Sequence, residues 1–187
     1  MRICFAMALA LTTSPAALAA GPSGLSGLFS EQPIVEAAKK GSLSDTQAAL
    51  IDGASANARA DDGTPVLVIA VKSENVDLVR LLIENGARPD EKAKDETTAL
   101  TLASANGNLE IVSYLLDHGA DVNEPGSLRE TAIIKAARAR RNPVVRILVA
   151  KGANLDETDA TGATALDIAE SAGWQDTAAL LKKAGPK

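Results

Sequence analysis

The single histidine of this 187-residue chain, His118, limits the chemistry the chain can do. A metal site built on it would need cysteine or carboxylate ligands at matching spacing, and none accompany it. A Ser-His-Asp arrangement would also have to include His118, yet no Gly-x-Ser-x-Gly turn is present. What remains is a solvated histidine in Leu116-Asp117-His118-Gly119, well placed at a helix C-terminus. Paired carboxylates recur at Asp61-Asp62, Asp90-Glu91, Asp95-Glu96 and Asp156-Glu157. Such pairs could do acid–base work or hold calcium, but their recurrence between helical segments makes them solvated loop tips. No Gly-rich phosphate loop follows a strand. The expectation is no catalytic residue, no metal ligand and no cofactor site.

Positive charge raises a second question. Residues 136–146 read AARARRNPVVR, and across 127–152 seven basic residues face one acid, Glu130, a local charge of +6 in a chain of net −5. The bland reading is solvated helix faces paired with acids of neighbouring segments, each pair contributing about 0–1 kcal/mol. The second is a patch for a protein partner. Nucleic acid is excluded by the acidic total and by the lack of interleaved aromatics for base stacking.

The N-terminus reads as an export signal over 1–19. Arg2 supplies the positive start, Ile3 to Leu11 the apolar stretch, and Ala17-Leu18-Ala19 a small-x-small cleavage pattern. The apolar stretch falls well short of the ~20 residues of a membrane helix, so no membrane span is expected after cleavage at Ala19 or Ala20. Cys4, the only cysteine, leaves with the signal, which removes disulfides, thiolate sites and a lipid-anchoring cysteine. Residues 20–32 read as a flexible leader. The mature chain is expected in the periplasm or secreted, as a monomer.

Positioning comes from a repeat. Gly53, Gly86, Gly119, Gly152 and Gly185 are separated by 33 residues each, and so are Ala37, Ala70, Ala103, Ala136 and Ala169. Two independent columns with one period imply a repeat architecture. Each unit carries two short helical patterns. In the third, Leu100, Ala103 and Ser104 fall at i, i+3, i+4, and Val112, Leu115 and Leu116 repeat the pattern after Asn106-Gly107-Asn108. Asn75, Asn108 and Asn142 can cap second helices, with Pro143 in the following first turn. The glycine of each Gly-Ala supplies a left-handed C-cap.

Residues 97–123, TTALTLASANGNLEIVSYLLDHGADVN, closely resemble an ankyrin repeat, and 162–185 resemble a terminal one. The family's Thr-Pro-Leu-His signature survives in part at Thr98-Ala99-Leu100-Thr101, Thr131-Ala132-Ile133-Ile134 and Thr164-Ala165-Leu166-Asp167, and less at Pro65-Val66-Leu67-Val68. The resemblance implies an all-α repeat fold: a solenoid of five helix-turn-helix units joined by short β-hairpin loops, at 33–60, 61–93, 94–126, 127–159 and 160–187. It also implies that the altered signature residues bear on stability, since the threonine and histidine tie turn to helix.

By the same resemblance the chain is a non-catalytic protein-binding module. Its concave face would be lined by hairpin tips and first-helix ends. The tips contribute Asp62, Asp95, Glu96 and Arg129, and the helix ends Glu74, Asn75, Asn108, Arg140, Arg141 and Trp174. Arg141 and Trp174 hold equivalent places in adjacent repeats, which leaves room for a cation–π contact between them and, with Arg140, for the centre of a patch. Trp174 shielding the end of the stack is the other reading. Similarity to small exported bacterial ankyrin proteins implies an accessory role for an envelope or stress-related enzyme. A purely structural stack and a secreted effector are the alternatives.

Overall fold

A computed structural model describes residues 33–185. The export signal 1–19 and the leader 20–32 lie outside the described residues. Among the described residues ten α-helices form five pairs: α1 (Pro33–Lys39) with α2 (Leu43–Ile51), α3 (Val66–Lys72) with α4 (Val76–Glu84), α5 (Ala99–Asn106) with α6 (Leu109–Asp117), α7 (Ala132–Arg138) with α8 (Asn142–Ala150), and α9 (Ala165–Ser171) with α10 (Gln175–Ala184). The first helices touch one another in sequence, α1 to α3 to α5 to α7 to α9, and the second helices form a parallel series. One apolar cluster runs through all five pairs. No single pair could enclose its own apolar face, so each depends on its neighbours.

The alanine column lies where the first helices meet. Ala70, Ala103, Ala136 and Ala169 are 0% exposed and Ala37 4%. Small side chains there allow backbones to approach, while Ile111, Val112 and Leu115 of α6 fill the space behind. The α6 stripe is centred one residue earlier than the spacing implied, for Leu116 is only half-buried. Next to Ala103 on α5, Ser104 is fully buried and its hydroxyl has no hydrogen-bond partner among the described residues. Neighbouring repeats place Ala38, Val71 and Ala137 in that column. Ser104→Ala should therefore leave stability unchanged or raise it by up to ~1 kcal/mol. A clear loss in urea denaturation would show that the hydroxyl makes a bond.

Local signals explain the helix ends. Asn75 accepts the Leu78 amide at 3.0 Å and Asn108 the Ile111 amide at 3.1 Å, so both cap their second helices. Gly53, Gly86, Gly119 and Gly152 follow the second helices with φ of 84° to 94°, the left-handed conformation a side chain would strain. Gly185 departs from the column with φ −61° and ψ 171°, because the residue before a proline is pushed into extended backbone. Asn142 departs as well. It is the first residue of α8, Arg141 occupies the cap position, and no side chain caps that end. Its amide instead donates to Asp176 at 2.7 Å while its oxygen accepts from the Thr177 hydroxyl at 2.6 Å, joining α8 to α10.

The inter-repeat hairpins are minimal. Isolated antiparallel bridges, Arg59 with Pro65 and Thr158 with Thr164, stand where full strands would, and no strand occurs among the described residues. A ladder of Asx side chains ties the loops together. Asn57 accepts the Arg88 amide, Asp90 the Asp121 amide and Asn123 the Asn154 amide, at 2.8, 3.0 and 2.8 Å. Asp90 is the charged exception, and burial, with Asp121 and Glu124 nearby, raises its pKa. Its ionised form is thus disfavoured in the fold. Asp90→Asn keeps the acceptor and removes the charge, so it should raise stability at pH 7 by about 0.5 kcal/mol once solvent screening is allowed for. That gain should vanish as the pH falls through the raised pKa, where Asp90 is itself neutral; urea titrations at both pH values measure it.

Candidate protein-binding surface

Two backbone columns shape the side of the stack formed by first helices and hairpin tips. At the tips, Gly63, Glu96, Arg129 and Gly162 have φ of 82°, 66°, 58° and 84°. At the turns between paired helices, Gly41, Glu74, Gly107, Arg140 and Gly173 have φ of 67°, 54°, 87°, 55° and 72°. Every one of these positions is left-handed, which glycine adopts freely and other residues adopt at a cost of about 1 kcal/mol. Glu74, Glu96, Arg129 and Arg140 therefore hold their places against backbone preference.

The tip acids have local work. Asp62 accepts the Thr64 amide at 2.8 Å, and Asp95 accepts the Thr97 amide at 3.1 Å and its hydroxyl at 2.9 Å. The threonine hydrogen bonds hold both carboxyls below the usual carboxylate range. Both residues thus build turns, with their free lone pairs left to solvent. Glu96 pairs with Lys92 at 3.6 Å, and Lys92 reaches Glu124 at 2.6 Å. Asn75 and Asn108 are committed as caps, and Asn75 also donates to the Gly41 carbonyl at 3.1 Å.

Arg140, Arg141 and Trp174 each have partners in the stack. Arg140 pairs with Asp176 at 3.1 Å. Arg141 turns back to the third repeat, its Nε donating to the Ala105 carbonyl at 3.0 Å and its stem covering Gly107. Trp174 is half-buried against the core at the start of α10. The cation–π contact found among the described residues is another one: Arg80 lies 5.4 Å from the Tyr114 ring centroid, on the second-helix side. His118 stacks on that same ring, and its Nδ1 shares a hydrogen bond with the Tyr114 carbonyl at 2.8 Å. No group of acids, cysteines or histidine able to hold a metal occurs among the described residues.

Most of the basic band is consumed internally. Lys135 pairs with Glu130, while Arg138 bridges Glu130 through Nε at 2.6 Å and Asp159 through Nη2 at 2.7 Å. Lys151 reaches Asp117 at 2.6 Å. Glu130 and Asp159 are each 3% exposed, so this is a buried ionic network joining the fourth and fifth hairpins. Asp159 also accepts from the Thr161 hydroxyl, the Thr161 amide and the Ala163 amide, and the Thr161 hydroxyl bond above all brings its pKa to about 2. Arg129 and Arg146 are exposed with no partner among the described residues.

Models of the ankyrin repeat family match the chain twice, a three-copy model over 34–126 and a many-copy model over 117–169. The chain belongs to the ankyrin repeat family. No curated protein matches it. Ankyrin repeats are generally protein–protein interaction modules and typically non-catalytic. No helix among them is long and apolar enough to cross a membrane.

Within this ankyrin stack the altered signature has visible consequences. Thr98 with Thr101, and Thr164 with Asp167, form capping boxes at the starts of α5 and α9. In the fourth repeat Ile134 replaces the partner, so the Thr131 hydroxyl is buried without a hydrogen bond. Residue-type reasoning passed over Leu128, Glu130 and Asp159. Leu128 could have been found by column, since it stands where Asp62 and Asp95 form their turns. The burial of Glu130 and Asp159 has no such signal.

Proposed function

We propose that this ankyrin chain is an exported, monomeric, non-catalytic module that binds a protein partner through its concave face of first helices and hairpin tips. One observation carries the reading. In the two columns above, four of the nine left-handed positions carry charged side chains, Glu74, Glu96, Arg129 and Arg140, where glycine would cost nothing. Backbone strain held at positions outside the core points to side chains that serve an outward contact. Arg2, the apolar run Ile3 to Leu11 and the Ala17-Leu18-Ala19 pattern support export to the periplasm.

The internal pairing of the basic band favours a second reading, a purely structural stack with no dedicated partner. Crosslinking in the native compartment, followed by identification of attached proteins, separates the two. Specific adducts at first-helix and tip positions support the module; adducts at none of them select the structural stack. Cell fractionation tests the location, and recovery outside the envelope would replace the periplasmic reading with that of a secreted effector.

A further inference from the structure

The tip joining the third and fourth repeats is built unlike the others. The second and third tips read Asp62-Gly63 and Asp95-Glu96, an acid that makes its own turn followed by a left-handed residue. Here the same two positions read Leu128-Arg129, and both are left-handed, each at φ 58°. They lie in a short 3-10 turn, Ser127–Arg129. Leucine can make no side-chain turn bond, and neither residue favours that backbone region. Leu128 is nevertheless 70% exposed, where its side chain gains little from the core.

The tip is also held firmly. The Gly126 amide donates to the Glu130 carbonyl at 3.0 Å, and the Leu128 carbonyl accepts the Ala160 amide of the next tip at 2.8 Å. Beneath it Glu130 is clamped by Lys135 and Arg138. An apolar knob and a free guanidinium are thus displayed on a pinned, strained turn. A cleft of about 410 Å³ opens beside them, lined by Leu128, Lys135, Arg138, Asp159, Ala160 and Thr161. With Arg129 and Glu130 counted, the charged groups at this point sum to +1, on a chain of net −5.

We infer that Leu128 and Arg129 form the anchor of the partner interface, and that the partner is a protein offering an apolar pocket rimmed by carboxylates. This rests on the module reading above and says which part of that face grips what. An exposed leucine supplies desolvation and a preorganised arginine supplies a bidentate partner for carboxylate, a combination suited to a central anchor. Stability is given up locally to present them. The acidic tips of the second and third repeats would repel the same partner surface, which sets its register along the stack.

The test places a photocrosslinking amino acid in the full chain at position 128 or, separately, at position 72 on the first-helix side, in cells of the native compartment. Supporting results are an adduct at 128 whose partner peptide lies beside Asp or Glu residues, and a fall of about tenfold in its yield with Arg129→Glu. An adduct at 128 that is indifferent to Arg129→Glu overturns the acidic partner. Adducts at 72 alone overturn the anchor but leave the module standing, and adducts at neither position overturn both. A thermal melt keeps the strain argument falsifiable without a partner. Leu128→Asp with Arg129→Gly restores the neighbouring tip chemistry and should raise Tm by about 2–6 °C; a fall would show that these residues hold the fold, and would overturn the inference.

Discussion

Arg138→Leu should lower the melting temperature at pH 7 by about 3–10 °C, the largest loss expected from any charged residue of the stack. Leucine keeps an apolar stem and removes both ionic contacts. Glu130, 3% exposed, then keeps Lys135 as its only counter-ion. Losing one partner of a buried carboxylate is costly, because the remaining charge has neither water nor cation to replace it. Retention of Lys135 and the 49% exposure of the Arg138 side chain bring the expected loss to about 1–3 kcal/mol. A pH series separates charge from packing. Asp159 titrates in the fold at about 2, below its ordinary 3.8, chiefly through the Thr161 hydroxyl, with Arg138 adding charge attraction. A depressed pKa contributes stability that is complete above about pH 4 and is lost as the pH falls toward 2. The gap between wild type and Arg138→Leu should therefore narrow over that window in urea titrations. A gap constant from pH 7 down to 2 would assign the loss to packing.

Ala103→Leu should destabilise by about 1–3 kcal/mol, seen as a lower urea midpoint with the slope unchanged. Ala103 is 0% exposed at the seam where α5 meets α3 and α7. Three added carbons can enter only by separating first helices whose spacing is set by the same alanine in every repeat. In a stack of nearest-neighbour interfaces the strain acts on both sides of the third repeat. Ala169, 0% exposed on α9 in the last described pair, packs against the first helix of one neighbouring pair, α7, and the same change there should cost less. Equal losses at the two sites would mean that the alanine column does not set the helix spacing.

Much of the fold was legible because a repeat writes each structural requirement several times. The 33-residue columns mark the five helix pairs, the buried alanines, the Asn75 and Asn108 caps and the left-handed glycines. Departures from a column are harder to interpret, since a changed residue type shows that a rule is broken without showing what replaces it. Asn142 has the right type for a cap but stands one place after the column of Asn75 and Asn108, and it bonds α10 instead. Arg141 and Trp174 share a column, yet an arginine side chain long enough to reach the next repeat can equally reach back to the Ala105 carbonyl.

The sequence by itself determined the family, the period, the core and the side of the stack that carries tips and turns, because these depend on local pattern multiplied by repetition. Tertiary structure alone decided which charges are free. Lys135 and Arg138 were counted in a basic band with Arg129, and only their position over Glu130 and Asp159 distinguishes counter-ions from exposed cations. Charge pairing depends on distances of a few ångströms between residues 5 to 21 positions apart, and spacing along the chain does not encode them. The tip at Leu128 and Arg129 has the same origin: the residues could be read, but the left-handed backbone and the exposure that make them an anchor appear only once the neighbouring tip pins the turn.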